Sequence, residues 1–388
     1  MARHYQIISS DGHIESPPDV LLKYVPEEMH CRAPRLVPLP EGGEGWIVEG
    51  RPLLPNGQNI VRAGAIKLSG GTYFNEDGSP APGAGGPEQR LREQDIDGID
   101  AEVMFPPVFA SRFIEGIRDR EVYLTLIRAY NSYLALDYCS VAPDRLIGTT
   151  AIPISGIDDA IAELEYGHSV GLNSVCFHQF PNGSGLSAPE DDRFWARCLE
   201  LGVSLAPHIG FGAMAPPPRE VSAGTGEAKF SEALYQRAGG QGPVFALIQL
   251  MVEGVFDRFP DMQLFFAETN AHWLPGALYL LDDNYKLFKE WFGTELAMKP
   301  SEYIGKHCHF GIIRDPVSIR MHELIDLDRI MWASDFPHSV GSYPDSRKFL
   351  EEAFEGIDDE TRRKVLLENP AKFFGLDINA AITETPAA

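Results

Sequence analysis

Asp11 and His13 are the first side chains in this sequence whose types and spacing could bind a metal. They follow the apolar run from Tyr5 to Ile8, which is typical of a buried strand. On an extended backbone, residues two apart point to the same face, so a carboxylate and an imidazole would be directed at one place. Asp-Gly is also a common turn dipeptide, and the pair alone is compatible with a surface loop.

Further carboxylates and imidazoles stand where other predicted strands end. They are His178 after the fourth strand, His208 after the fifth, Glu268 after the sixth, and Asp335 after the eighth, with His338 three residues on. His178 could be an ordinary loop histidine, and Asp335 could cap a helix, although Ser334 already offers a capping hydroxyl. Aspartate and histidine together suit Zn²⁺, and also Mn²⁺ or Fe²⁺. A metal so held can lower the pKa of a bound water to about 7 and supply a hydroxide nucleophile.

Short apolar strands alternate with amphipathic helical segments along most of the chain. Eight strand candidates are present, and such an alternation predicts a parallel sheet. Eight repeats predict an α/β fold of the (β/α)8 TIM barrel type, in which the active site lies at the carboxyl ends of the strands. An open doubly wound sheet is the alternative, but no GxGxxG motif follows the first strand.

Two irregular stretches interrupt this alternation. Residues 30–86 are rich in proline and glycine with short strand-like pieces, and they predict a β-rich cap inserted after strand 1. Residues 210–242 predict a lid loop after strand 5. Long irregular loops in compact enzymes often cover active sites, although either stretch could be a plain surface excursion. We expect one barrel domain over residues 1–376, with a flexible tail at 377–388.

The composition limits the classes of partner. The 388 residues carry a net charge of −23, which argues against nucleic acid or an anionic membrane as partner and fits an enzyme acting on a small-molecule substrate. Five scattered cysteines without a CxxC pair indicate a reducing compartment. With no signal peptide at the start and no run of about 18 apolar residues, we expect a cytoplasmic protein.

Several motifs at these strand ends resemble the amidohydrolase superfamily, in particular its amidohydrolase 2 branch. The most specific is the segment Trp332-Ala333-Ser334-Asp335-Phe336-Pro337-His338. The others are Asp11-Gly12-His13, Arg90 to Asp100, Pro207-His208, Phe259-Pro260-Asp261, Trp273-Leu274-Pro275 and Asn369 to Gly375. The likeness covers nearly the whole chain outside the two insertions.

The resemblance implies a ligand set and a cofactor. It makes Asp11, His13, His208 and Asp335 the ligands of a divalent metal, with Zn²⁺ favoured and Mn²⁺ or Fe²⁺ as alternatives. His178 stands where two-metal relatives place a carboxylated lysine. A second ion held by His178, Glu268 or His338 is therefore a further alternative. A homodimer is common among the relatives and is expected here.

Two departures from the branch favour hydrolysis. Asp11 stands where His or Glu is usual, and Glu268 stands where the decarboxylases carry a histidine as acid/base. We therefore predict a metal-dependent hydrolase in which metal-bound water attacks a small carbonyl substrate, namely an amide, ester, thioester or C–C bond. The candidate proton-transfer groups are Asp335, Glu268, His178 and His338.

Two other functions stay open. The first is non-oxidative decarboxylation of an aromatic or unsaturated acid, in which an arginine would hold the carboxylate by two hydrogen bonds. Arg314 is the predicted substrate-binding arginine, with Arg62 and Arg112 as alternatives. The second is a non-catalytic metal-binding partner subunit, against which the proton-transfer candidates argue.

Overall fold

Eight parallel strands form the centre of the molecule. The computed structural model describes residues 3–38, 44–48, 51–55, 73–107, 114, 117–208, 210–211, 243–338 and 340–386. The strands are β1 (Ile8–His13), β2 (Ala101–Phe105), β3 (Leu146–Gly148 with Thr150–Ala151), β4 (Ser174–Phe177), β5 (Ser204–Pro207), β6 (Leu264–Phe266), β7 (Cys308–Ile312) and β8 (Ile330–Trp332).

The strands follow one another in chain order around a ring. β3 is interrupted at Thr149, so that its first part pairs with β2 and its second with β4. The ring closes between β8 and β1, where Asp335 N donates to Asp11 O at 3.1 Å and His13 N donates to Phe336 O at 2.8 Å. The predicted (β/α)8 barrel is therefore confirmed.

Helices occupy the connections between the strands. They are α1 (Pro87–Asp97), α2 (Arg120–Tyr133), α3 (Ile157–Ser169), α4 (Asp192–Leu201), α5 (Val244–Val252), α6 (Val255–Arg258), α7 (Leu274–Phe292), α8 (Pro300–His307), α9 (Pro316–Arg320), α10 (Ser346–Ala353), α11 (Asp359–Arg363) and α12 (Asn369–Phe374). Shorter 3-10 turns span Pro18–Tyr24, Glu27–Arg32, Cys139–Val141, Pro189–Asp191 and Leu327–Arg329, and π-turns span Leu134–Tyr138 and Lys364–Glu368.

Local sequence explains where several helices begin and end. The Asp119 carboxylate accepts hydrogen bonds from the first turn of α2, as an N-cap should. α1 ends at Gly98, whose positive φ of 75° is the left-handed conformation that glycine adopts without strain. Gly254, with a φ of 67°, separates α5 from α6.

β1 also differs from the prediction. It begins at Ile8 rather than Tyr5 and extends through His13, so Asp11 and His13 are part of the strand and not of the turn after it. Its pairing with β2 shifts register between Ser9 and Gly12, a bulge of the kind that redirects side chains near active sites.

Within the predicted cap, three strands form an antiparallel sheet, and they are Arg35–Pro38, Glu44–Val48 and Arg51–Pro55. The predicted lid lies outside the described residues from 212 to 242, so its role stays a prediction, as do the domain limits. No helix in the described part of the chain is long and apolar enough to cross a membrane.

The barrel interior is filled below the strand ends. Buried side chains from five of the strands pack together there, and they include Val103, Phe105, Cys176, Ala206, Phe265, Ala267 and Met331. A larger apolar cluster fills the space between the strands and the surrounding helices. These two layers hold the strand ends rigidly, so polar groups at those ends have fixed positions.

Candidate metal centre

His13 is oriented by a hydrogen bond on the side away from the cluster. Its Nδ1 lies 2.9 Å from the carbonyl oxygen of Pro106, just beyond β2. A carbonyl can only accept, so Nδ1 carries the proton and Nε2 presents a lone pair. Metal-binding histidines are commonly fixed in this way. The ring is almost fully buried, at 3 % exposure.

The Nε2 lone pair of His13 faces a ring of other potential ligands. It lies 3.4 Å from Asp11 Oδ1 and 3.3 Å from Asp335 Oδ1. His208 Nε2 lies 3.4 Å from Asp11 Oδ2. Ligand atoms about 2.0–2.2 Å from a shared metal lie roughly 3.0–3.5 Å from one another. The observed separations therefore fit the edges of one coordination polyhedron.

Glu268 and His338 extend the cluster on either side. Glu268 Oε2 lies 4.0 Å from His208 Nε2, and His338 Nδ1 lies 3.0 Å from Asp335 Oδ1. Within the described part of the chain, two overlapping groups have ligand atoms close enough for one ion, namely Asp11, His13 and His208, and His13, Glu268, Asp335 and His338. Since His13 offers a single lone pair, it can serve only one ion at a time.

Glu268 and Asp335 both adopt an unusual backbone conformation. Their φ angles are 55° and 54°, in the left-handed region that residues other than glycine rarely occupy. Each such residue costs about 1–3 kcal/mol and is tolerated where the surrounding structure imposes it, often at functional sites. The strain turns both carboxylates toward the cluster at the ends of β6 and β8.

Burial and mutual repulsion perturb the carboxylates of the cluster. Burial raises the pKa of Asp11 to about 7, and burial together with the charge of Asp335 raises the pKa of Glu268 to about 7. Burial opposes the charge on Asp335 too, but His338 and His13 outweigh it and lower the pKa of Asp335. Three buried carboxylates this close cannot all ionise unless a cation joins them.

Buried polar atoms without hydrogen bonds also gather here. Among the described residues they include both carboxylate oxygens of Asp11 and Asp335, and Nε2 of His13 and His208. A buried polar group without a partner is costly, and native structures rarely keep several together. A divalent cation would satisfy them at once, so the donor set fits a metal.

A buried ion pair lies directly behind the cluster. Arg90 on α1 donates from Nε to Glu102 Oε2 at 2.8 Å and from Nη2 to Phe336 O at 2.8 Å. Glu102 on β2 also accepts from Ser334 Oγ at 3.1 Å, and both partners of the pair are 1 % exposed. Ser334 N in turn donates to Ser9 Oγ at 2.9 Å. The pair thus binds the residues on both sides of Asp335 and, through Ser334, is linked to Ser9 on β1.

Gly12 lies between Asp11 and His13 on β1 and against this pair. A Cβ atom there would lie 2.8 Å from Glu102 Oε1 and 2.9 Å from Arg90 Nη2, so any side chain would push the pair aside. We expect Gly12→Ala to lower the free energy of unfolding by about 1–3 kcal/mol, as overpacking does, and to weaken metal binding. Thermal unfolding and metal titration measure the two effects.

Gly305 on α8 provides the control for that substitution, because a Cβ atom there meets nothing within 4 Å. Gly305→Ala should keep metal affinity and gain up to about 1 kcal/mol from better helix propensity. Equal metal affinity in Gly12→Ala and the native protein would contradict the role assigned to the Gly12 contact.

The loop that carries Glu268 is held from β7. Asp315 Oδ2 accepts from the backbone of Ala271 at 2.9 Å and of His272 at 3.0 Å. Asn270 N donates to Gly311 O at 2.9 Å, and the φ of Asn270 is 52°. These contacts fix the turn after β6 and with it the direction of Glu268.

Glu15 lies behind His338. It is fully buried, and its Oε1 is 3.5 Å from His338 Nε2, on the opposite edge of the ring from Asp335. The two rings of His13 and His338 are stacked, with centroids 3.9 Å apart. Although burial opposes a positive charge, the two carboxylates raise the pKa of His338 well above its usual value. Glu15 therefore orients His338 toward the cluster.

The structure brings together most of the site residues predicted from sequence. Asp11, His13, His208, Asp335, Glu268 and His338 form the cluster. His178 follows β4. The pKa of His208 is lowered mainly by burial. The metal and catalytic roles of all seven stay predictions.

The described contacts of Arg314 lie outside the cluster. Its Nη1 donates to Gly341 O at 3.2 Å, and its guanidinium lies over the ring of Phe349, 5.4 Å from the centroid. These contacts are with the segment after β8 rather than with the cluster carboxylates, so its substrate role stays a prediction. Arg62 and Arg112 lie outside the described residues.

Arg90, Glu102 and Asp315 are not among the residues predicted for the site. A signal for Glu102 exists in the sequence, since it is a lone carboxylate in the apolar strand Ala101–Phe105 and so needs a cation. Arg90 belongs to the motif behind the family resemblance. Asp315 carries no comparable signal, because an aspartate before a proline looks like an ordinary helix cap.

Comparison with known proteins identifies relatives over most of the chain. A family model described as Amidohydrolase matches residues 78–376. A gamma-resorcylate decarboxylase from Rhizobium sp. (strain MTP-10005) is 23% identical over 263 residues, which cover 64% of this chain and 76% of that protein. Asp11 and His13 lie before the segment that the family model matches, and the barrel brings them to it.

Two solved structures share the fold. An amidohydrolase from Mycobacterium avium subsp. paratuberculosis K-10 aligns with a TM-score of 0.73 at 18% identity, covering 96% of this chain and 100% of that one. A dihydroxybenzoic acid decarboxylase from Polaromonas sp. JS666, solved with manganese and the inhibitor 2-nitroresorcinol, aligns with a TM-score of 0.62 at 18% identity, covering 96% and 97%.

Proposed function

The chain belongs to the amidohydrolase family, as its motifs predict, and from this we propose that it is a metal-dependent decarboxylase of a hydroxylated aromatic acid. The observation that carries the proposal is the buried cluster of Asp11, His13, His208 and Asp335, whose ligand atoms are separated by 3.3–3.4 Å along three edges. Relatives that align with most of the chain are named as decarboxylases, and this supplies the reaction class.

Relatives support decarboxylation better than the hydrolysis predicted from sequence. Those with a stated activity act on aromatic acids, namely gamma-resorcylate and dihydroxybenzoic acid. The hydrolysis prediction gave more weight to two positions, Asp11 and Glu268, than to the rest of the chain. Glu268 can transfer a proton as a histidine can, so its presence does not exclude decarboxylation.

The negative charge of the carboxylates in the cluster favours binding of a cation. Asp11, Glu268 and Asp335 would repel an anionic substrate at short range. A bound divalent ion would offset their charge and orient the carboxylate and neighbouring hydroxyl oxygen of the substrate. Asp11, His13, His208 and Asp335 would hold that ion. Mn²⁺ and Zn²⁺ both suit this mixture of oxygen and nitrogen ligands.

In this proposal Glu268 moves the proton that the reaction needs. A proton adds from its carboxyl group to the ring carbon that bears the substrate carboxylate. The bond between that ring carbon and the carboxylate carbon then breaks. Its electron pair restores the aromatic ring, and CO₂ leaves. Glu268 regains a proton from solvent. His338, held by Glu15, shares the charge on Asp335 throughout.

We expect metal-dependent release of CO₂ from 2,6-dihydroxybenzoate or 5-carboxyvanillate, the acids for which two similar solved decarboxylases are named. Treatment with dipicolinate should lower the rate about 10²–10³-fold, since a bound ion contributes several kcal/mol of stabilisation to developing charge. Added Mn²⁺ or Zn²⁺ should restore it. Coupled CO₂ detection and elemental analysis of the purified protein measure the rate and the bound metal.

Hydrolysis is the second candidate, because Glu268 could equally serve as a general base beside a metal. Aryl esters, amides and lactones tested in parallel separate the two. Acid release from these without CO₂ release from any aromatic acid would overturn decarboxylation. Activity unchanged after metal removal would overturn both.

A further inference from the structure

A buried turn leads from the predicted cap into α1, and we call its residues, 81–85, the brace segment. Four of the five residues are buried, and Ala84 N donates to Ala81 O at 2.9 Å across the turn. The segment contains only alanine, proline and glycine. It has no side chain that could do chemistry, so any role at the metal centre must come from what it contacts.

Gly83 brings the brace segment against the loop that follows β8. A Cβ atom on Gly83 would lie 2.3 Å from Pro337 Cβ and 2.5 Å from Pro337 Cγ, whereas carbon atoms in contact are about 3.5–4.0 Å apart. The φ of Gly83 is 80°, in the left-handed region that favours glycine. Glycine at this position therefore lets the backbone of the brace segment lie directly on the ring of Pro337.

Pro337 lies in the loop between two members of the cluster, Asp335 and His338. The preceding residue, Phe336, is held by α1, because the guanidinium of Arg90 lies 4.4 Å from the centroid of its ring. Arg90 also donates to the carbonyl oxygen of Phe336 at 2.8 Å. The loop is thus held at Phe336 by α1 and at Pro337 by the brace segment.

A buried carboxylate on α1 anchors the brace segment. Glu93 Oε1 accepts from Gly83 N at 3.0 Å and from Gln89 Nε2 at 2.9 Å. Gln89 Nε2 also donates to Ala81 O at 3.1 Å. Because Glu93 is buried, these hydrogen bonds lie in a low dielectric where they are stronger than in water. One helix therefore fixes both contacts of the loop.

The side chain of His338 depends on this arrangement, because His338 directly follows Pro337. Its Nδ1 lies 3.0 Å from Asp335 Oδ1, and its ring stacks on His13 with the centroids 3.9 Å apart. A shift of the loop at Pro337 would change both contacts. Two of the four proposed ligands, Asp335 and His13, therefore touch a side chain whose position the brace segment controls.

We propose that the brace segment is a positioning element of the metal centre. Gly83, in contact with Pro337 and anchored by Glu93, sets the direction of His338 and so the spacing of the ligands beside it. The proposal rests on the metal site of the proposed function. It gives the end of the predicted cap a role that requires no contact with substrate.

Gly83→Ala tests the contact, and Gly78→Ala is its matched control. The φ of Gly78 is 81°, so alanine carries the same backbone strain at either position, but a Cβ atom on Gly78 meets nothing within 4 Å. Gly83→Ala should lower affinity for Mn²⁺ about 10–100-fold, the range for groups behind metal ligands. Gly78→Ala should keep native affinity. Calorimetric titration of each folded protein after dipicolinate treatment measures it.

Glu93→Met keeps the test decisive if Gly83→Ala does not fold. It adds no atom at Pro337, and it removes the acceptor of Gly83 N, since a thioether sulfur accepts only weakly. Affinity for Mn²⁺ should fall about tenfold, at the lower end of the same range. Glu93→Gln keeps an acceptor oxygen at this position and should bind Mn²⁺ as the native protein does.

Hydrogen exchange measured by mass spectrometry gives a readout without metal. The loop at 334–342 is closed by bonds such as that from His338 N to Asp335 O at 2.8 Å. In metal-free Gly83→Ala and Glu93→Met, exchange there should be about tenfold faster, because the loop opens more often, while β4 exchanges as before.

The two readouts separate this proposal from the proposed function. If the native protein binds no metal, the proposed function fails, and exchange alone decides whether the brace segment positions the loop. Native Mn²⁺ affinity or native exchange of residues 334–342 in the folded variants would overturn the proposal, and so would an equal loss of affinity in Gly78→Ala.

Discussion

Replacing His208 with alanine is expected to abolish metal binding and to lower activity at least about 10³-fold, while the fold survives. Changes to groups behind metal ligands typically cost 10–100-fold, and loss of a ligand should exceed this. His208 Nε2 lies 3.4 Å from Asp11 Oδ2, and its side chain is 14% exposed, at the mouth of the barrel. Truncation there should not open a cavity in the apolar core.

Elemental analysis and steady-state kinetics on the same preparation give the two readouts. His309→Ala is the matched control, because His309 lies near the start of β7, at the end of the barrel opposite the cluster. It should keep its metal even if it loses stability. Full metal occupancy in His208→Ala would refute its assignment as a ligand.

The strand-end residues could be predicted because one rule of geometry places them. In a parallel barrel every strand ends at the same face, so Asp11, His208 and Asp335 converge even though they are far apart in the chain. That convergence needs only the order of strands, which the alternation of apolar and helical segments already indicates. The family resemblance added the assignment of these residues as metal ligands.

The orienting groups could not be predicted as readily, since they depend on helix rotation and strand register. Arg90 reaches Glu102 only because α1 turns that face toward β2, and Asp315 reaches the loop of Glu268 across β7. Arg314 was predicted from its place after a strand, its side chain lies over Phe349, and its substrate role stays a prediction. Position along a strand does not determine where a long, flexible side chain points.

The choice between reactions was the weakest sequence inference, for a chemical reason. A carboxylate and an imidazole can each transfer a proton near neutral pH when their surroundings adjust them. Burial raises the pKa of Glu268 to about 7, into the range of a histidine. The residue type at this position therefore discriminates poorly between hydrolysis and decarboxylation.

Glu102→Gln should both destabilise the protein and weaken metal binding. Removing one partner of a buried ion pair leaves the other charge uncompensated and costs about 3–5 kcal/mol. Arg90, 1 % exposed, would keep its charge without a carboxylate to balance it. Ser334 would lose its carboxylate acceptor, and the spacing of Asp11 and Asp335 would loosen. Metal affinity should fall about 10–100-fold.

Denaturant unfolding and metal titration below the unfolding midpoint separate the two effects. Glu163→Gln is the control, because Glu163 is also a buried carboxylate paired with an arginine, Arg128 at 2.8 Å, but on α3. It should lose stability and keep its metal affinity. Native affinity in folded Glu102→Gln would show that the pair supports the barrel alone.

The double substitution Arg90→Met with Glu102→Leu separates the effect of the ion pair on stability from its effect on metal affinity. Apolar residues of similar size often replace a buried ion pair at no cost in stability, or with a gain. The double variant should therefore recover most of the unfolding free energy lost in Glu102→Gln. It should not recover metal affinity, because neither Phe336 O nor Ser334 Oγ regains its partner. Recovery of both properties together would mean that packing alone sets the ligand spacing.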